Sequence, residues 1–582
     1  MNTQHSMQDN KQLSIVFNNY YEDRCRIIPI EATQNGNNRY NDVLPIEFTD
    51  DYLDTLRLFY SNYLNRIRQF NRDMLSENDQ ISYDIFEREM EISLEGVDLR
   101  FSVNTVIMPN LQYMPFNQFE GIPLLLGQMG SGTGIQPFKT VTDYDHWIRR
   151  ASAFAAWTDS AIVYFRKGIA NGYLLPRCLV IKMIPQMEAM VTSDVTKSLF
   201  YGPANLIPAS FSAPDKARVT GDLVKLIRDI LSPAYKRLAD FLQNEYLPKS
   251  RSSIGFDDLP NGNTLYNYLI RYWTTTNKTP EEIYQTGLSE VKRIRGEMEL
   301  TKAKTGFPDN LDSFFTYMRT NPRFMPFKTP DEVLGAFRKI QRTIDPNLKN
   351  LFGHTPKMDF EIRQTEAFRA ASASAEYYPG DPHGSRPGIF YVPIPDATKF
   401  NTTSGMESLF LHEAIPGHHY QISLQMEDTL LPDFRRFAWY GAYGEGWALY
   451  CESLGRELGL YTDPYQYMGA LRDEIERAIR LVVDVAMHQK KMTREQAIKY
   501  MTDNEAITEE DATAAIERYI AIPAQALSYK TGAMKIRELR NRYAYEMGPY
   551  FNLSAFHDEV LKDGCMPLDI FERKMDAWEM HQ

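Results

Sequence analysis

The chain has 582 residues, 43% hydrophobic and 24% charged, with 35 Tyr and 32 Phe. That composition excludes a disordered protein and allows two or more packed subdomains, or one large helical enclosure around a cleft. A formal net charge of -12 removes nucleic acid as a main partner, because a polyanion is bound through a basic footprint.

In chain order, residues 1–12 are polar and predict a flexible N-terminus without an apolar stretch of signal-peptide length. No later window reaches the roughly 18 apolar residues of a membrane span, so a soluble chain is expected. Its compartment is cytoplasmic if Met1 is the natural start, and periplasmic or envelope if a signal peptide was trimmed. Asp50 to Phe70 and Gly221 to Tyr246 return apolar residues every three or four positions, which predicts helices and a mainly α protein. Gly121 to Phe138 is Gly-rich and reads as a loop, and it lacks the pattern of a phosphate cradle. Cys25, Cys178, Cys451 and Cys565 lie far apart, so neither a thiolate zinc site nor a disulfide framework is legible. A soft boundary is expected near residue 350, between a helical part (13–350) and a catalytic part (351–582), or the two form one continuous domain.

Beyond that boundary, the Pro/Gly-dense Tyr377 to Gly388 is followed by a short strand, Ile389 to Ile394. Helices are then expected over Gly405 to Gln425, Pro432 to Gly459, Pro464 to Lys490 and Thr493 to Met501. Three of the ten histidines, His412, His418 and His419, fall within eight residues, with Glu413 directly after the first. Imidazoles ligate zinc, and a neighbouring Glu can take a proton from a zinc-activated water.

The spacing is longer than that of H-E-x-x-H. A six-residue helical step turns a side chain roughly 240° away, and a seven-residue step adds about 10 Å of rise. Pro416 and Gly417 suggest a bulge over 414–417 that returns one downstream imidazole to His412. The alternative is that Pro416 ends the helix and the histidines cap it or pack in a loop. Glu445 and Glu452, seven apart and on one helix face, are candidate third ligands.

The segments HEAIPGHHYQ (412–421), GEGWALYCE (444–452) and PAQALSYKTG (523–532) together resemble a large bacterial family of uncharacterised-domain proteins placed in the gluzincin peptidase clan. YYEDR (20–24), RYND (39–42) and HGSRPGIFYV (383–392) are similar to that family as well. The resemblance implies a large helical gluzincin-like fold enclosing a deep active-site cleft, with a small β element beside the metal-binding helix. Gly before the second ligand histidine, as in the wider clan, selects His418 over His419. Likeness to the N-E-G-F-A of the aminopeptidase branch selects Glu445 over Glu452.

The expected site is then Zn2+ on His412, His418 and Glu445, with Glu413 as catalytic base and Tyr529 as donor to the oxyanion. Arg386, His419, Tyr519, Gln525 and Lys530 are candidate substrate contacts. Ile389 to Ile394 is expected to be the edge strand that takes an extended peptide. His383 and His488 could line the cleft, the latter oriented by Asp484. The expected activity is a zinc metallopeptidase acting on short peptides, as a monomer or homodimer. The rivals are a zinc hydrolase of a non-peptide amide or ester, and a binding protein on a degenerate zincin fold.

Overall fold

The structure is a computed structural model that describes residues 10–103, 109–365, 374–380 and 387–580. It is mainly α, and none of its described helices is long and apolar enough to cross a membrane. The chain divides into two compact units, Met1–Tyr268 with Ile520–Ile522, and Leu269–Tyr519 with Pro523–Gln582.

In the first unit, helices α1 (Lys11–Ile27), α2 (Asp50–Ile67) and α3 (Glu77–Asp98) start where side chains of Asn10, Thr49 and Ser76 accept hydrogen bonds from first-turn amides. Helix α1 thus begins inside the stretch expected to be flexible, and residues 1–9 lie outside the described residues. The three helices share an aromatic core. Tyr20 stacks on Phe59 with ring centroids 5.2 Å apart and meets Tyr63 and Phe86 edge-on, which is where part of the aromatic surplus goes.

The YYEDR and RYND segments are structural here. Arg24 forms a bidentate pair with Glu31, and Arg39 pairs with Glu22. The buried Arg150 guanidinium donates to the carbonyls of Val43 and Tyr40, among others. A two-residue pairing joins β1 (Phe101–Ser102) to β2 (Asn110–Leu111).

The segment expected as a Gly-rich loop contains helix α4 (Ile122–Gly130). Pro123 suits its first turn, and Gly130 is required by packing rather than by a turn. A Cβ there would lie 2.4 Å from the Phe200 ring and 2.7 Å from the Trp147 ring. The expected helix over 221–246 is part of a longer helical run, Ala213 to Tyr246, with two π-helical stretches.

The second unit holds helices α5 (Pro280–Lys304) and α6 (Pro330–Leu348) and a sheet of β3 (Phe360–Gln364), β4 (Glu376–Tyr378) and β5 (Gly388–Val392). Helices α7 (Met406–Glu413), α8 (His418–Glu427), α9 (Gly441–Glu452), α10 (Pro464–Gln489) and α11 (Ser528–Met547) follow. The division near 268 replaces the boundary expected near 350. Helices α5 and α6 lie before residue 350, yet α5 packs along α10, and Phe337 of α6 meets Phe390 of β5 and Phe410 of α7.

The strand order is β3-β5-β4, with β5 parallel to β3 and antiparallel to β4. The expected edge strand is therefore the central one. Its apolar sequence, GIFYV, is that of a strand covered on both faces, and β4 is an edge.

Helix α9 crosses α11 with their backbones in contact. A Cβ on Gly532 would lie 1.6 Å from the Ala442 carbonyl oxygen, and one on Gly446 would lie 2.5 Å from the Gly532 Cα. Only glycine permits this approach, which brings the first turns of the two helices together.

Candidate metal centre

Helix α7 carries His412 and Glu413 on its last turn and ends there, because Pro416 cannot continue it. The expected bulge is thus a full break, with α8 starting afresh at His418. The break is tight. A Cβ on Gly417 would lie 1.9 Å from the His412 carbonyl oxygen and 2.4 Å from that of Leu411. The Pro416 carbonyl is held by the Trp447 indole N–H at 2.8 Å. The result is that the His412 and His418 rings stand perpendicular, centroids 4.8 Å apart.

Glu445, on the first turns of α9, completes the group. Its Oε2 lies 3.5 Å from His412 Nε2 and 3.4 Å from His418 Nε2. Among the described residues, this is the one cluster of three His, Cys, Asp or Glu side chains able to offer a ligand atom each at such spacing, all within 4.8 Å. Bonds of about 2.0–2.2 Å to a tetrahedral ion place ligand atoms roughly 3.3–3.6 Å apart. The two separations from Glu445 fall in that range, and all three ligand atoms lie within 4.8 Å of one another, so the three side chains converge on a point where a divalent ion could bind.

The surroundings support the same fit. The second nitrogen of His412, Nδ1, is 2.8 Å from Glu452 Oε1, and both side chains are buried. Burial alone would lower the His412 pKa, but the hydrogen-bonded carboxylates of Glu445 and Glu452 hold it up to about 10. Glu445 is displaced the other way. Despite burial, the His418 and His412 imidazoles hold its carboxyl well below the usual range. A cation bound among these groups would take the place of the proton that His412 carries.

Glu413 is 8% exposed. Burial pushes its carboxyl up, His412 and His418 pull it down, Glu445 pushes it up again, and the Tyr377 backbone N–H donates to it. Because N–H groups of a strand alternate in direction, the Tyr377 amide leaves the β4–β5 ladder and points from the sheet edge to the site. Glu413 thus sits between the histidines and the edge of β4.

The remaining expected residues separate. Tyr529, half-buried on the first turn of α11, has its pKa raised by burial and, less strongly, by the Glu445 charge. The Arg480 guanidinium lies 4.7 Å from the centre of its ring and donates to the Tyr519 hydroxyl at 3.0 Å. Tyr519 is therefore buried and already hydrogen-bonded through its hydroxyl.

Gln525 is half-buried in a short helical turn before α11. Lys530 does not face a substrate. It is 3% exposed and pairs with Glu474 at 2.7 Å and Glu290 at 2.9 Å, joining α11 to α10 and α5. His419 turns toward the sheet, its Nδ1 2.9 Å from the Tyr377 hydroxyl and its ring against Phe360, and burial pushes its pKa down to about 4.

His488 is not cleft-lining but fully buried, with Nε2 3.0 Å from the Tyr519 carbonyl. The Asp484 carboxylate accepts the Ala524 N–H, so both residues hold the backbone that leads into α11. Arg386 and His383 lie outside the described residues. Sequence reasoning missed Glu452 as the partner of His412, Arg480 beside the two tyrosines, and Tyr377 as a donor to Glu413. Only the heptad spacing of Glu445 and Glu452 hinted at the first.

The family described as "Bacterial protein of unknown function (DUF885)" matches residues 29–575. The chain is similar to a crystal structure of "the putative lipoprotein from Colwellia psychrerythraea", with 26% identity, TM-score 0.89, and 98% of this chain and 99% of that one covered. It also shares the fold of a protein from Shewanella oneidensis described in the same terms and as of unknown function, at 19% identity and TM-score 0.70, covering 97% of this chain and 99% of that one. No curated protein matches.

Proposed function

The chain belongs to this family of bacterial proteins of unknown function, and on that premise we propose that it is a zinc-dependent hydrolase, a metallopeptidase that cleaves short peptides. The observation that carries the reading is the meeting of His412, His418 and Glu445, with Glu445 Oε2 3.5 and 3.4 Å from the two imidazole nitrogens, beside the buried Glu413. The likeness of the HEAIPGHH and GEGWA segments to gluzincin motifs supports it.

His412, His418 and Glu445 would hold the Zn2+, which would supply Lewis-acid activation of a carbonyl and of water. Glu413 would accept a proton from the attacking water and return it to the leaving amine. The Tyr377 amide orients the Glu413 carboxylate, and Glu452 keeps His412 Nε2 aimed at the centre. Tyr529, steadied by Arg480, donates to the developing oxyanion, a contribution worth about 3–4 kcal/mol in comparable sites.

The test is elemental analysis of the wild type, His412→Ala and Glu413→Gln, with hydrolysis of a mixed peptide library alongside. The expected result is about one zinc per wild-type chain, lost in His412→Ala and kept without activity in Glu413→Gln. Wild-type protein that stays metal-free and inactive after zinc is supplied overturns the reading. A place at the cell envelope is proposed from the description of both structural neighbours as lipoproteins. Recovery of the native protein in the cytoplasmic fraction alone would contradict it.

A further inference from the structure

Trp439 is 40% exposed although it is one of only six tryptophans, and it stands directly against the metal centre. Its ring centroid is 5.7 Å from that of His418. The indole is seated over Gly444, where a Cβ would come within 2.3 Å of a ring carbon, so the residue next to ligand Glu445 is bare where the ring lies. Among the described residues, no protein group accepts a hydrogen bond from the indole N–H.

The backbone on both sides is tied down. The Gln425 side-chain amide donates to the carbonyls of Arg435 and Ala438, each at 2.9 Å. The Tyr440 N–H donates to Cys565 Sγ at 3.2 Å. An exposed indole held this firmly loses little conformational freedom when something covers it.

We propose that Trp439 forms the wall of a substrate subsite for an apolar, preferably aromatic, side chain flanking the bond that is cleaved, with its indole N–H directed to a peptide carbonyl. The inference rests on the peptidase reading above and names the substrate feature that this site selects. A flat apolar face beside a metal ligand rewards a side chain that can stack on it, by offset or edge-on contact, and gives little to alanine or to a charged side chain.

The experiment compares two peptides that differ only in Phe or Ala beside the scissile bond, using zinc-loaded wild type, Trp439→Ala and Trp439→Phe. The ratio of kcat/KM for the Phe peptide over the Ala peptide should fall at least about tenfold in Trp439→Ala and less in Trp439→Phe. Zinc stoichiometry should be retained in both variants. In the zinc-loaded Glu413→Gln protein, the Phe peptide should change tryptophan emission, and Glu413→Gln combined with Trp439→Phe should remove that change.

Wild type that binds no zinc defeats the peptidase reading and the subsite with it. Wild type that binds zinc and cleaves peptides, with an unchanged ratio in Trp439→Ala, defeats the subsite alone. A Trp439→Ala protein that has lost zinc is replaced in the comparison by Trp439→Phe, for which an unchanged ratio and unchanged emission overturn the proposal.

Discussion

Glu452 Oε1 lies 2.8 Å from His412 Nδ1, in a buried pair that leaves Nε2 pointing at Glu445 and His418. A carboxylate in that position fixes the orientation of a ligand imidazole and raises its basicity, and loss of such a partner costs about 10–100-fold in metal affinity. Glu452→Ala should weaken zinc binding by that factor in a chelator-competition titration, with Glu452→Gln falling between it and the wild type. An affinity equal to wild type in both variants would show that His412 is oriented by its other neighbours.

At this scale the ligand chemistry of His412, Glu413 and His418 was legible in one compact run, and the family resemblance chose Glu445 over Glu452. The role of Glu452 was not legible, because its partner is 40 residues away and two glutamates on one helix face are equivalent until the neighbouring helix is placed. Lys530 was misread for the same reason. A lysine among polar residues gives no sign that two carboxylates from other helices will bury it.

Among the elements, the crossing of α9 and α11 sets where Glu445 and Tyr529 stand. Gly532→Ala places a Cβ 1.6 Å from the Ala442 carbonyl oxygen, so the helices must part. The variant should lose about 2–3 kcal/mol or more in urea unfolding and bind zinc more weakly as Glu445 is displaced. Gly296→Ala on α5 is the control. Its Cβ meets nothing within 4 Å, and the substitution should stabilise by about 0.5–1 kcal/mol through helix propensity.

Equal losses in the two variants would mean that the crossing is not close. Helix positions were mostly readable from apolar periodicity, as for α2 and α10. The break between α7 and α8 was readable as a disturbance around Pro416 and Gly417, but not as a junction that returns His418 to His412. Strand order was invisible. Period and composition define a strand, and only pairing partners define whether it is central, as β5 is, or an edge, as β4 is.

For the whole molecule, stability carries a pH dependence that is separate from the His412, His418 and Glu445 cluster. Glu47, in the first unit, is 3% exposed and accepts the Trp157 indole N–H at 3.0 Å. Burial raises its pKa from 4.5 to about 7. Its folded value lies above its unfolded one, so the stability it contributes is fully present below pH 4.5 and is lost as pH rises through about 7.

The loss amounts to about 3 kcal/mol at full ionisation. Urea unfolding at pH 5 and pH 8 should show the wild type declining relative to Glu47→Gln across that interval. Parallel behaviour of the two proteins would place the Glu47 pKa near its ordinary value.

The sequence by itself determined a mainly α chain and a cluster of residue types able to ligate a metal, because helical periodicity and ligand chemistry are local properties. It also marked Pro416 and Gly417 as the place where the helix must change. Only the tertiary structure decided that Glu452 orients His412, that β4 rather than β5 borders Glu413, and that the compact units divide near 268 rather than 350. Those outcomes depend on distances between groups tens to hundreds of residues apart, set by how closely helices approach and which strands pair, and no local pattern records such distances.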